Sequence, residues 1–412
     1  MDFYDIYGGS EKFTDAQFPS NSEGFIWSDA EEVYSSATEA EGTVWKRATE
    51  IFPDKSLFGT NGITPVDIRQ GDLGNCWFIA GASALSERAG RMERLFLNTV
   101  DETSPNGIYG VNFFVLGQPH TIIVDDYLPV KDDGKGGWKT HGGAAGADGS
   151  LWGPVLEKAL SKYHGNYEHT VGGAMSLSLR TLYGAPENYI THSEFTVEQL
   201  WERLTAAEKN GNVLLMATKP GLSDKYENEV GLALSHAYTV LGTKTLTDKD
   251  NKKIRLVKIR NPWGEETYKG AFSDKSELWT DDLRAQAGAV QKNDGVFFMP
   301  IADYKKWCNL TTENINVDKM SRSTFLVLDD TAEPREGGKC NGTCSYHKFT
   351  IKSKETQTVY LKVATWEPRG LPKKCIDQVK ERNGGKQRKH AFMLDGGIFT
   401  EDYYYEWKGG DA

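Results

Sequence analysis

The first forty residues are polar and rich in Ser, Glu and Asp, a pattern that predicts a loosely packed N-terminal arm over residues 1–44. From Trp45 onward apolar positions become dense. The run Asn75-Cys76-Trp77-Phe78-Ile79-Ala80-Gly81-Ala82-Ser83-Ala84-Leu85 reads as a buried helix with a small-residue face, with Gly74 and Asn75 as turn and cap before it. Residues 109–116 and 121–124 read as strands, and 151–163 as a second helix. The segment 134–149 holds seven glycines and reads as a loop. Thr196-Val197-Glu198-Gln199 is a capping-box pattern, opening a helix that should stop near Asn210-Gly211. Three apolar runs, 213–217, 237–241 and 254–259, read as strands of one antiparallel sheet. Beyond residue 320 the short apolar runs 325–328, 348–351 and 359–364 alternate with turns, a pattern that suits a separate β-sandwich.

Composition narrows the classes. The chain has 412 residues with 38% hydrophobic and 11% aromatic content, enough for two or three cores. The net charge of -10 is uneven, with -13 in residues 1–320 and +3 in residues 321–412, so a boundary falls near residue 320. An acidic body argues against nucleic acid as the main partner. The start, Met1-Asp2-Phe3-Tyr4-Asp5, is not a signal peptide, and no apolar run approaches the ~20 residues of a membrane span. Five cysteines leave at least one unpaired, so a reducing, cytoplasmic setting is expected. The end at Tyr405-Glu406-Trp407-Lys408-Gly409-Gly410 has no clear stop, as expected of a fragment or truncated domain.

Cys76 opens the predicted buried helix, where unpaired N–H groups and the helix dipole favour a thiolate. Such a nucleophile needs a histidine as base and proton carrier, and a third polar group to orient the ring. If 237–241 and 254–259 form a hairpin about the turn 247–251, the ladder pairs residues whose numbers sum to 497. His236 then faces Asn261, Tyr238 faces Ile259, and Val240 faces Val257, so imidazole and amide become cross-strand neighbours. Pro262 should end the strand. The side chain of Gln70 is placed to join the Cys76 N–H as an oxyanion hole, and Trp263 to shield the His–Asn hydrogen bond. Taken singly, each residue has a plainer reading: a buried thiol, an interior histidine, a surface amide, a turn asparagine. The four together, in workable order, favour nucleophilic catalysis.

The same residues carry a family resemblance. Gln70-Gly71-Asp72-Leu73-Gly74-Asn75-Cys76-Trp77-Phe78 resembles the nucleophile segment of calpains, Ser235-His236-Ala237-Tyr238-Thr239-Val240 their histidine strand, and Ile259-Arg260-Asn261-Pro262-Trp263-Gly264 their asparagine segment. Further matches are Trp45-Lys46-Arg47, Leu151-Trp152 with Leu156-Glu157-Lys158-Ala159, and Asp294-Gly295-Val296-Phe297-Phe298. The likeness runs from about residue 45 to 315. It implies an α+β, papain-like core of two lobes: residues 45–185 carry the nucleophile helix and 186–320 the His/Asn sheet, with substrate between. A C-terminal β-sandwich over 321–412 follows. The implied activity is limited cleavage of intracellular proteins through an acyl-enzyme.

Departures from the pattern are Asn75 where calpains usually have Asp, and Ser235 where they often have a substrate-contacting Gly; the other such glycine is retained at Gly173. Calpain cores typically hold two calcium ions. The first site maps onto the carbonyls of Thr60 and Gly62 and the carboxylate of Asp67, with Ser150 where a second carboxylate is expected and Asp148 two residues away. The second maps onto Asp274 and Asp294, with Thr267 and Val296 at the other carboxylate positions and Glu265 and Glu266 nearby. Both sites lack charge, so weak Ca2+ binding is expected, and the chemistry itself needs no cofactor. No EF-hand loop pattern is present. A zinc site at Cys340, Cys344, His347 and Cys375 is a loose fit, and the basic run 373–389 suits a solvated loop better than acidic lipid. Two other classes remain open: a catalytically silent scaffold of the same fold, and an acyltransferase of the transglutaminase kind.

Overall fold

The computed structural model describes residues 9–25, residues 42–320 apart from 61, 99–102, 116, 144–145 and 147–149, and the backbone of four short strands at 358–361, 391–394, 397–400 and 405–408. The expected strands 325–328 and 348–351, the candidate zinc ligands, the basic run 373–389 and Asp148 lie outside the described residues.

The helical half is built from β1 (Val44–Arg47), α1 (Cys76–Ser86), the hairpin β2 (Ile108–Val115) and β3 (Gln118–Asp125), the short strands β4 (Tyr127–Asp132) and β5 (Trp138–Thr140), α2 (Trp152–His164) and α3 (Met175–Tyr183). Strand β5 pairs with β4 inside the glycine-rich segment, so the expectation of loop throughout 134–149 is corrected there. Every residue of α1 after Cys76 is buried, as its small and apolar composition requires. A Cβ on Gly81 would stand 2.1 Å from the Ser178 hydroxyl, so glycine is what allows α3 to cross α1 this closely. The arm is not loose where it is described: Phe18 and Phe25 are buried with Leu73 and Tyr167, and Asp15 pairs with Lys162 at 2.7 Å.

The other half is a six-stranded antiparallel sheet in the order β10-β9-β8-β7-β11-β6, where β6 is Glu187–Thr191, β7 Val213–Thr218, β8 Ala237–Thr247, β9 Lys253–Arg260, β10 Val296–Pro300 and β11 Cys308–Asn314. Helix α4 (Val197–Asn210) covers one face and begins with the expected capping box between Thr196 and Gln199. Strand β7 is apolar on both sides for a reason: Val213 and Leu215 join the core around α1, while Leu214 and Met216 join the core under α4. The sheet therefore packs directly against the nucleophile helix.

Several hydrogen bonds join the halves. Thr239 Oγ1 donates to Ala80 O at 2.8 Å, Gln70 N to Pro262 O at 2.8 Å, and the Arg260 guanidinium to Ile68 O at 2.7 Å. Among the described residues no helix is long and apolar enough to cross a membrane.

Candidate active site

Cys76 is the first residue of α1 and stays half-buried while the rest of the helix is buried. Its thiol meets the Ala237 N–H, the residue after His236, so the start of β8 lies against the start of α1. Burial pushes the thiol up to about 11; Asp224 adds to this, and the N–H groups of Ala237, Trp77 and Cys76 oppose it. His236 is buried, and burial draws its imidazole down to about 4 against the opposing hydrogen bond from Asn261. Each group on its own is thus held neutral.

The hydrogen bonds at Asn261 settle the imidazole tautomer. Asn261 Oδ1 receives the Trp263 backbone N–H at 3.1 Å, and a backbone N–H can only donate, so that atom is an acceptor. His236 Nε2 lies 3.1 Å from the same oxygen and must be its second donor. Nδ1 is left as the bare, basic nitrogen, buried and without a hydrogen bond. The Trp263 ring sits 4.6 Å from the imidazole, centroid to centroid, which keeps water from the Asn261 bond. Tyr238 contacts the ring edge-on at 4.9 Å, and His236 N donates to Thr218 Oγ1 at 3.1 Å.

The contact expected between His236 and Asn261 is present, but the pairing behind it is corrected. Val240 pairs with Ile259 and Thr239 with Arg260; after an irregularity at Leu241, Gly242 pairs with Lys258 and Thr247 with Lys253. The ladder is offset by two residues from the expected one near the site. A two-residue offset keeps every side chain on its face, because strand side chains alternate with period two. His236 therefore lies just before β8 and Asn261 just after β9, their side chains converging beyond the paired region. Strand β9 ends at Arg260, before Pro262, as expected.

Gln70 is half-buried beside this segment; its Nε2 donates to Leu73 O at 3.1 Å, leaving one amide N–H. Gly173 is exposed, and a Cβ there would stand 2.6 Å from the Trp77 ring, so a side chain would displace the residue that follows the nucleophile. Ser235 has φ +48°, which explains why glycine is favoured at this position. Asn75 donates through Nδ2 to the buried Glu157 Oε1 at 2.6 Å, and Gly143 N donates to Oε2 at 2.7 Å. An ionised aspartate at position 75 would have no proton to give Glu157 Oε1; the amide supplies that donor. Three residues of consequence carried no signal for their role in the sequence: Glu157, Arg260 and Asp224. The first two stand inside matched segments, and the last lies in a loop without pattern.

The carboxylates at the expected metal positions are engaged within the protein. Asp67 Oδ2 accepts from Thr64 N at 2.7 Å and Thr64 Oγ1 at 2.6 Å. Glu266 and Asp274 are held above the usual carboxylate range mainly by burial, with Asp294 adding repulsion to both. Glu266 thus feels the charges of both Asp274 and Asp294. Yet Asp274 N donates to Glu266 Oε1 and Lys292 N to Asp274 Oδ2, both at 2.9 Å. Among the described residues no three His, Cys, Asp or Glu side chains converge as a metal-ligand set.

Burial of these groups makes stability depend on pH. Glu157 is raised by burial from its ordinary 4.5 to about 7, so the unfolded chain releases this proton while the fold keeps it. Between these values rising pH costs about 3 kcal/mol at this group. His141, His192 and His236, each drawn from 6.5 to about 4 by burial, act oppositely and weaken the fold as pH falls from 6.5 toward 4. The difference between wild type and Glu157→Gln isolates the carboxyl. Urea unfolding should show the variant gaining about 3 kcal/mol relative to wild type between pH 4.5 and 7. A pH-independent difference would mean that Glu157 is not held protonated.

A thiol at a helix start, beside an imidazole whose tautomer is set by an asparagine, belongs to the cysteine-protease class. Comparison with known proteins agrees: the family model described as "Calpain family cysteine protease" matches residues 13–312, and the chain belongs to that family. The match reaches back beyond residue 45, where the motifs first show, into the packed arm. The chain is 30% identical over 313 residues to a calpain-type cysteine protease ADL1 of Oryza sativa subsp. japonica, covering 73% of this chain and 14% of that protein. It is 27% identical over 377 residues to calpain-5 of Rattus norvegicus, covering 82% and 56%. It is 29% identical over 349 residues to the calpain-1 catalytic subunit of Mus musculus, covering 81% and 47%. The chain thus spans between a seventh and about half of the length of these relatives.

Proposed function

We propose that this chain is a calpain-like cysteine endopeptidase that cleaves intracellular proteins at limited sites, with Cys76 as nucleophile, His236 as base and acid, and Asn261 as the group that orients the ring. The observation that carries this reading is the shared acceptor at Asn261 Oδ1, which leaves Nδ1 as the bare nitrogen of His236, the residue just before the Ala237 N–H that meets the Cys76 thiol. In the proposed reaction Nδ1 takes the proton of the Cys76 thiol as sulfur attacks the scissile carbonyl carbon. The developing oxyanion is received by the Cys76 N–H and the free amide N–H of Gln70. The imidazolium then gives its proton to the leaving amine. Water, activated by the same nitrogen, releases the acyl group and restores the thiol. Burial keeps the resting pair neutral, so charge separates only when substrate arrives.

Incubation with casein, read by mass spectrometry, tests this. New peptide termini support it. Crosslinks would point to the acyltransferase reading, and no change would point to a silent scaffold.

The proposed organisation is an arm over 1–44, lobes at 45–185 and 186–320, and a β-sandwich over 321–412. In the last region 358–361 pairs with 405–408, and 391–394 with 397–400. Protein segments are the proposed partners, and a cytoplasmic setting would keep Cys76 reduced.

Calcium supplies no chemistry in this reading, and we propose that the core binds it weakly. In the first site Asp67 already serves Thr64, and Ser150 stands where a carboxylate is expected. In the second, Glu266 and Asp274 already accept backbone N–H groups. Calorimetric titration of the Cys76→Ala protein should show no saturable heat at micromolar calcium. Two micromolar sites would overturn the proposal.

A further inference from the structure

The geometry points to Asp224 as a specificity-determining residue that makes the cleft select a basic side chain immediately after the scissile bond. The inference rests on the endopeptidase reading and adds a substrate class to it. Since Nε2 is engaged by Asn261, Nδ1 is the nitrogen that hands a proton to the leaving amine, which must pass beside it. Asp224 Oδ2 lies 3.8 Å from Nδ1. The carboxylate therefore lies beside the nitrogen that the departing amine must pass.

Asp224 is also free to meet a substrate. Its side chain is 28% exposed, and His236 is its one ion-pair partner among the described residues. With Nδ1 unprotonated the two atoms are both acceptors facing each other, an arrangement that invites a donor or a cation. The loop that carries Asp224, residues 219–235, is fixed in place. Gly221 N donates to Ser235 Oγ at 2.8 Å, Ser235 Oγ donates to Gly221 O at 3.1 Å, and Ser235 N donates to Lys219 O at 3.0 Å. Farther along, Leu234 N donates to Tyr226 O at 2.8 Å. The left-handed serine next to the catalytic histidine thus clamps the loop that presents the charge. Substrate extending past the scissile bond meets a fixed negative charge that attracts Lys or Arg and repels Asp or Glu.

The test uses peptides that differ only in the residue after the cleavage point. Wild type should favour Lys over Glu there by about tenfold in kcat/KM, attraction and repulsion both contributing. The ratio should fall to near one in Asp224→Asn, persist in Asp224→Glu and invert in Asp224→Lys. An unchanged ratio in Asp224→Asn overturns the inference. The same peptides, labelled and titrated by fluorescence anisotropy into the Cys76→Ala protein, give the binding preference without turnover. Equal affinity for the Lys and Glu peptides overturns the inference whether or not the wild type cleaves. Preferential binding of the Lys peptide by a chain that cleaves none supports the Asp224 assignment and removes the endopeptidase reading.

Discussion

Replacing Cys76 by alanine is expected to lower peptide-bond cleavage by at least about four orders of magnitude, and His236→Ala by a similar factor. The two losses should not add, because in the proposed reaction thiol and imidazole work as one proton-transfer unit. The positions of the two groups make the expectation strong. Cys76 heads a helix that is buried everywhere else, and the Ala237 N–H reaches its sulfur. With both groups held neutral by burial, neither reacts alone at pH 7: a thiol raised to about 11 supplies almost no thiolate unless His236 takes its proton. Asn261→Ala keeps both groups but frees the ring to turn, for a loss of about ten- to a hundredfold. The readout is the rate of casein cleavage by matched, folded proteins. Turnover by Cys76→Ala within tenfold of wild type would remove Cys76 from the chemistry.

How far the site could be read from the chain differs from element to element. The nucleophile helix was legible because its composition admits little else: a run of small and apolar residues after Asn75 must be buried, and its first residue is the thiol. The His–Asn contact was legible for a partly wrong reason. The expected ladder sums to 497, whereas the pairs next to the turn, such as Thr247 with Lys253, are offset by three residues, and the irregularity at Leu241 brings the offset to two near the site. A change of two in register leaves strand faces untouched, so the contact survived the error. Strand β11 was missed because Thr311, Thr312, Glu313 and Asn314 are polar yet buried. Their partners come from distant segments: Asn212 Nδ2 donates to Glu313 at 2.6 Å, and Thr311 meets His192 at 2.7 Å. No periodicity could show that. Asp224 was invisible for a related reason. Nothing local marks a loop acid, and its meaning comes from the histidine twelve residues later, which the chain brings back beside it.

Arg260 is expected to be the most sensitive joint between the halves. It is the last residue of β9, paired to Thr239 and Val296, and immediately precedes Asn261. Its side chain is fully buried. The guanidinium crosses to the helical half, donating to Ile68 O at 2.7 Å and to Ser83 Oγ at 3.2 Å. Burial lowers it to about 10, which leaves it a cation at neutral pH. Arg260→Met fills much of the same volume but leaves a buried carbonyl and a hydroxyl without their donor, for about 3 kcal/mol of lost stability. Arg260→Lys should recover little, since one ammonium cannot reproduce the planar fork. The effect on rate should exceed that on stability. Ile68 and Gln70 lie on one side of the joint, Asn261 and His236 on the other, and a displacement near 1 Å costs about a hundredfold in turnover. Urea midpoints and kcat, measured where both proteins are folded, separate the two consequences. If the methionine variant keeps its midpoint and turns over within twofold of wild type, the halves are aligned by something else. If it loses both, alignment is built into the protein contacts.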